Sequence, residues 1–148
     1  MAEKTAAKIK KGEDIAFAHG KRKTSVARTV IKKGNGRVRI NSFMLDNYST
    51  DYARSRVSLP LIIASDYIDT NSIDIKTEVH GGGCISQADA IASSISRALV
   101  KWCGSDDLLH DYQKFDRTLI SGDHRQSEPH KPSQSSKGAR HRRQKSYR

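Results

Sequence analysis

Two runs of cations hold the side chains best suited to gripping a polyanion. Lys21-Arg22-Lys23 sets three adjacent positive charges beside His19 and Gly20, and Arg28, Lys32, Lys33, Arg37 and Arg39 follow within the next stretch. Adjacent cations on a short loop contact successive phosphates. Near the other end, Arg140-His141-Arg142-Arg143 and Lys145-Ser146-Tyr147-Arg148 place arginine forks and an aromatic ring within nine residues. Guanidinium planes clasp phosphate and stack on bases, and Tyr147 offers a further π face. The competing reading is a solvated charge run for the first and a nonspecific or nuclear-localisation tail for the second.

Other reactive residue types lack the spacing that chemistry needs. Gly81-Gly82-Gly83 at a strand-to-helix junction presents backbone N–H groups that suit an anion. It lacks the Lys-Ser or Lys-Thr of a P-loop and the spacing of a dinucleotide fingerprint, so a turn or packing role is the simpler reading. Ser, His and Asp occur without a nucleophile elbow, and the six histidines follow no metal-ligand pattern. Cys84 and Cys103 form no Cys-x-x-Cys, and both read as core or near-core thiols. Asp106-Asp107 reads as a helix start rather than an acid/base pair. No enzyme, metal or cofactor is expected.

The distribution of charge supports the polyanion reading. The chain has 148 residues, with 27 Lys and Arg against 16 Asp and Glu, for a net +11. Residues 1–33 carry +7, residues 41–116 carry −5 and residues 117–148 carry +7. Basic ends around an acidic middle give the molecule a charged side, where a polyanion binds. No run approaches the roughly 18 apolar residues of a membrane span, and the N-terminus shows no secretory apolar region, so a cytosolic protein is expected. From Ser133 to Arg148 there is no acidic residue and one aliphatic side chain, Ala139. Such a segment buries too little surface to offset its ordering entropy and is expected to be disordered until it meets a partner.

Elements that would position these residues follow from periodicity. Ser25 to Ile31 alternates with β-branched residues and predicts a strand; Gly34-Asn35-Gly36 predicts a tight turn; Arg37-Val38-Arg39-Ile40 predicts the returning strand of a hairpin. That register sets Val38 and Ile40 on one face and Arg37 and Arg39 on the other, giving a cationic solvent side. Phe43, Met44, Leu45, Tyr48, Tyr52, Val57 and Leu59 suit one or two short helices with Pro60 at or near a boundary. Ile73, Ile75, Thr77 and Val79 predict a third strand with an outer polar face. Ile85, Ala88, Ile91, Ala92, Ile95, Ala98, Leu99 and Trp102 then predict the main helix, with Gln87, Asp89 and Ser94 on its other side. A shorter helix is expected from Ser105 to Phe115 with Ser105 as N-cap. The organisation is a flexible basic segment at 1–14, a globular α+β domain (a two-layer α/β sandwich) at 15–121, and an extended basic tail at 122–148.

These residues closely resemble the S9 family of small-subunit ribosomal proteins, in its archaeal and eukaryotic form. Gly20-Lys21-Arg22-Lys23-Thr24-Ser25-Val26-Ala27-Arg28 is similar to the family's entry motif, and Gly34-Asn35-Gly36-Arg37-Val38-Arg39-Ile40-Asn41 to its hairpin. Val79-His80-Gly81-Gly82-Gly83, Gln87-Ala88, Ala90-Ile91 and Ser96-Arg97-Ala98-Leu99 resemble its glycine junction and main helix. Asp116-Arg117-Thr118-Leu119, Asp123, Arg125, Glu128 and Lys131 lead into a similar tail ending Gln144-Lys145-Ser146-Tyr147-Arg148. Ser86, where members usually carry glycine, and Ala92-Ser93, in place of an Arg-containing pair, depart from the pattern.

The resemblance implies a fold with a left-handed βαβ crossover, an exception to the usual hand. It also implies a structural role in the head of the small subunit, without catalysis, on a cytoplasmic ribosome beside neighbouring head proteins. Ribosomal RNA would be bound by Lys21, Arg22, Lys23, Arg28, Lys32, Arg37, Arg39, Arg125, Lys131, Arg140, Arg142 and Arg143. Lys145, Tyr147 and Arg148 would touch peptidyl-site transfer RNA. The alternatives are a free-standing RNA-binding module or chaperone, which the same basic ends would serve, and an enzyme with a nucleotide pocket at Gly81 to Gly83.

Overall fold

Alternating burial along three long strands and burial of the middle of one long helix organise the molecule, of which the computed structural model describes residues 15–130. The elements are β1 (Ile15–Arg22), β2 (Ser25–Lys33), β3 (Val38–Ile40), β4 (Phe43–Met44), α1 (Asp51–Ala64), β5 (Ile73–His80), α2 (Cys84–Cys103), α3 (Asp106–Phe115) and α4 (Thr118–Ser121). The strands form one mixed sheet in the order β1-β2-β5-β3-β4, in which β3 and β5 run parallel and the other pairs antiparallel. The helices cover one face, so the architecture is α+β.

The predicted hairpin between β2 and β3 does not form. Ser25 to Lys33 turns back on β1 through the two-residue Lys23-Thr24 loop, and β5 lies between β2 and β3. The Gly34–Gly36 loop instead carries the chain across the end of β5. It is fastened there by Gly34 N–H to Ser72 O (2.9 Å) and by Asn35 and Arg37 N–H to Asp74 Oδ1 (2.9 and 3.0 Å). Local alternation sets which face a residue occupies but not which strand lies beside it. The face assignment stands: Ile40 is buried, and Arg37 and Arg39 are exposed. Asn41 then extends the β3–β5 pairing through its side chain, accepting from Val79 N–H at 2.9 Å.

Helix α2 lies very close to β1 and β2 because the facing residues are small. Ala16, Ala18, Gly20 and Ala27 meet Ala90, Ser94 and Ala98, and these alanines and Ser94 are buried. The expected one-sided stripe on α2 is therefore corrected at two places. Ser94, predicted on the polar side, is fully buried, with its Oγ 2.8 Å from Thr29 Oγ1, which lies 2.9 Å from Thr77 Oγ1. Ile85, predicted in the core, is 57% exposed because the first turn projects beyond the sheet. Cys84 in the same turn is exposed rather than near-core, whereas Cys103 is half-buried.

Pro60 lies inside α1, one turn before its C-terminal boundary. Its ring is buried and its carbonyl accepts the Tyr112 hydroxyl at 2.7 Å, which joins α1 to α3. The helix predicted from Ser105 to Phe115 is present as α3, with Ser105 at the N-cap position. Short helix α4 was not expected. Among the described residues no helix is long and apolar enough to cross a membrane.

Candidate nucleic-acid interface

The uncovered face of the sheet gathers cations from four strands. Strand register aligns Phe17, Val30, Lys76, Arg39 and Met44 in one row, His19, Arg28 and Glu78 in the next, and Ile15, Lys32 and Asp74 on the other side. Lys21 lies at the end of β1 opposite Val26. The period of two that buries Ala16, Ala18, Ala27 and Ile31 necessarily turns Phe17, Lys21, Arg28 and Lys32 outward. Phe17 is 54% exposed and Met44 40%, so apolar surface is interleaved with the charges. Flat apolar surface among cations suits an RNA backbone with unstacked bases.

Two carboxylates on this face are held ionised. Hydrogen bonding from Lys76, 2.9 Å away, lowers the Glu78 pKa. Backbone N–H bonds from Arg37 and Asn35 lower that of Asp74. Through those bonds Asp74 fixes the backbone of the Gly34–Gly36 loop, and with it Arg37, beside the end of β5.

Sequence-predicted residues divide between this face and its reverse. Lys21, Arg28, Lys32 and Arg39 share the open face, with Arg37 beside it. Lys23 occupies the turn after β1 with φ of 54°. The expectation of a loop for Lys21-Arg22-Lys23 is corrected here: Lys21 and Arg22 are the last residues of β1, and alternation sends them to opposite faces. Arg22 points to the helical side, 2.7 Å from Asp123 and 3.7 Å from Asp89. Its guanidinium also donates to Arg125 O at 3.3 Å. Arg125 itself clasps Asp123 at 2.6 Å, and Arg125 together with Arg22 holds the Asp123 pKa well below the usual carboxylate range. Lys131, Arg140, Arg142, Arg143, Lys145, Tyr147 and Arg148 lie outside the described residues.

Several contributors have no local signature. Lys76 carries the outward parity of a strand residue, which was the one available clue. Arg97 reaches from α2 to His19 O (2.9 Å) and Ile120 O (2.7 Å), and Lys101 reaches Phe17 O (3.0 Å). The bonds to His19 and Phe17 occupy carbonyls of edge strand β1, which hinders further strand pairing there, and the bond to Ile120 ties α4 to α2. Arg56 bridges Asp89 at 3.0 Å and Asp116 at 2.8 Å, joining α1, α2 and the start of α4. Burial opposes its charge, but the two carboxylate bonds outweigh that and raise its pKa.

At the glycine junction, the polar groups turn inward. Ser86 Oγ accepts from Gly83 N–H at 3.1 Å and lies 2.8 Å from Ser25 Oγ, while Gln87 Nε2 donates to Gly81 O at 3.0 Å. Gly81 and Gly82 have φ of 77° and 68°, which side-chain-bearing residues rarely adopt. These features support the turn and packing role. No group of His, Cys, Asp or Glu suited to a metal occurs among the described residues.

A family model described as ribosomal protein S9/S16 matches residues 20–148. The small ribosomal subunit protein uS9 of Methanococcus maripaludis is 43% identical over 134 residues, covering 90% of this chain and 98% of that protein. Its counterpart in Methanococcus vannielii is 42% identical over the same length and coverage.

Proposed function

The chain belongs to the ribosomal protein S9/S16 family, and from that membership we propose that its open sheet face holds ribosomal RNA in the subunit head while its tail reaches peptidyl-site transfer RNA. As a uS9 protein it is a non-enzymatic structural constituent of the small ribosomal subunit, working in translation on the cytoplasmic ribosome. The observation that carries the finer reading is the alignment of Lys21, Arg28, Lys32, Lys76 and Arg39 on one uncovered face.

Lys21, Lys23, Arg28, Lys32, Arg37 and Arg39 neutralise phosphates, which releases counterions and makes the affinity salt-dependent. Arg22 and Arg125 meet RNA where the chain leaves the domain, and Lys131, Arg140, Arg142 and Arg143 continue that path. Lys145, Tyr147 and Arg148 touch the anticodon stem-loop, mostly at phosphates, so contact tolerates changes of anticodon. The basic side chains of residues 122–148 carry the RNA contact onward from the domain. Neighbouring head proteins complete the surroundings. The connection from β3 through α1 to its parallel neighbour β5 is the one to which we assign the left-handed crossover that the family resemblance implies.

Sedimentation of a cell extract at moderate salt tests the assignment, comparing the full chain with one ending at Gly138. Both forms are expected to travel with the small subunit; full-length protein remaining at the top of the gradient would favour the free-standing RNA binder. Subunits carrying the shortened chain are expected to retain a peptidyl-site anticodon stem-loop less well. Equal retention would remove the tail from transfer-RNA contact, and strong preference among matched anticodons would contradict phosphate recognition.

A further inference from the structure

On the helical side of the molecule, α1 and α3 meet in an antiparallel seam with apolar side chains along its outer side. Arg56 pairs with Asp116, the Pro60 carbonyl accepts the Tyr112 hydroxyl, and the Tyr67 hydroxyl donates to Asp111, so rising numbers on one side meet falling numbers on the other. Helical spacing from Arg56 sets Leu59 and Ile63 toward α3, and the same spacing from Asp111 sets Phe115 toward α1. Ile62 follows Leu59 by three residues on the outer flank of α1. Phe115 is 59% exposed, Ile62 is 67% exposed and Tyr67 is exposed, while Leu59 and Ile63 are half-buried. Single exposed apolar side chains are ordinary, but five along one seam form a patch of the kind that marks a docking surface.

Charge decides between occupants. Asp111 stands in the seam, Asp107 lies one turn before it on α3, and Asp66 adjoins Tyr67. The hydrogen bond to Asp111, followed by burial and the charges of Asp111, Asp107 and Asp66, pushes the Tyr67 pKa up to about 12, so the three carboxylates act on one point. Lys114, 3.7 Å from Asp111, offsets part of that charge. On a chain of net charge +11, this end of the seam is acidic, and it repels the phosphates that the open sheet face attracts. A basic protein segment is complementary to it, with cations for the carboxylates and apolar side chains for the seam. Neighbours that also bind ribosomal RNA carry cations in excess, because they too must neutralise phosphates.

We propose that the α1–α3 seam docks a basic segment of a neighbouring small-subunit protein. Apolar side chains of that segment cover Leu59, Ile62 and Phe115, and its cations meet Asp66, Asp107 and Asp111. The inference rests on the ribosomal reading above and deepens it by giving the neighbouring proteins a surface, with RNA on the sheet and protein on the helices.

The test uses small subunits assembled with the full chain, which carries a photoreactive benzophenone amino acid in place of Ile62, of Phe115 or, as an open-face control, of Phe17. Adducts are mapped by mass spectrometry after irradiation. Ile62 and Phe115 are expected to reach one protein segment that contains several Lys or Arg and at least one large apolar residue, while Phe17 reaches ribosomal RNA. Asp66→Lys, at an exposed position, should keep the melting temperature and lower the adduct yield from Ile62 about threefold, the scale of one exposed ion pair. An unchanged yield would overturn the charge complementarity on which the choice of partner rests. Seam adducts on ribosomal RNA, on an acidic protein segment, on a second copy of this chain or on its own tail would overturn the docking proposal, as would none from either position. An RNA adduct from Phe17 would in each case keep the RNA-binding reading. A chain that stays out of the small subunit would overturn both.

Discussion

Gly20 shows how a single residue governs the distance between layers. A Cβ there would collide with the carbonyl of Ala90 and stand 2.7 Å from the amide nitrogen of Ser94. Both obstacles are helix backbone, which cannot swing aside like a side chain. Gly20→Ala is expected to destabilise the domain by about 2–3 kcal/mol, the scale of overpacking in a close-packed interior. Urea denaturation checks it: the midpoint should fall with little change in slope. Ser86 illustrates the reverse case. Where the resemblance leads one to expect glycine, its hydroxyl links Gly83 to Ser25 and so ties the start of α2 to β2.

At the scale of elements, ion pairs tie together helices that already pack on one core. Burial pushes the Asp116 pKa up, but bonds from Arg56 and Thr118 outweigh this and leave it below the usual value. A carboxyl whose folded pKa is depressed contributes stability above its unfolded value, about pH 4, and loses it as pH falls through the folded value. Thermal melts should therefore show wild type losing more stability than Asp116→Asn between about pH 5 and pH 2, with the two converging at the acid end. The Arg22–Asp123–Arg125 cluster pins the first residues after α4 in the same manner. Asp123→Asn is expected to quicken tryptic cleavage after Arg125 while the melting temperature hardly moves. Unchanged cleavage would show that the segment is held by other contacts.

For the whole molecule, one sheet face is covered and the other is left cationic, so charge and core separate onto opposite sides. Binding to a structured RNA should weaken steeply with salt. Arg28→Gln and Lys32→Gln should each lower the slope of log affinity against log salt by about one, without altering preference among RNA sequences. Titrations at several salt concentrations measure this directly. Slopes equal to wild type would move the phosphate contacts away from the open face.

Periodicity alone determined the faces of β2, β3 and β5, the extents of α2 and α3, and the outward direction of Arg28, Lys32 and Arg39. Side-chain parity and helical spacing are local properties that a short stretch of residues dictates. The same stretch contains no information about partners far along the chain. Tertiary structure alone decided that β5 separates β2 from β3, that Arg22 turns away from Lys21 to meet Asp123, and that Ser94 is buried while Ile85 is not. Each of those outcomes depends on groups distant in sequence: Asp74 and Ser72 beside the glycine loop, Asp89 and Asp123 around Arg22, and the small residues of β1 and β2 against α2. Strand order and charge pairing arise from the competition of such long-range contacts, which become physical only when the chain has closed on itself.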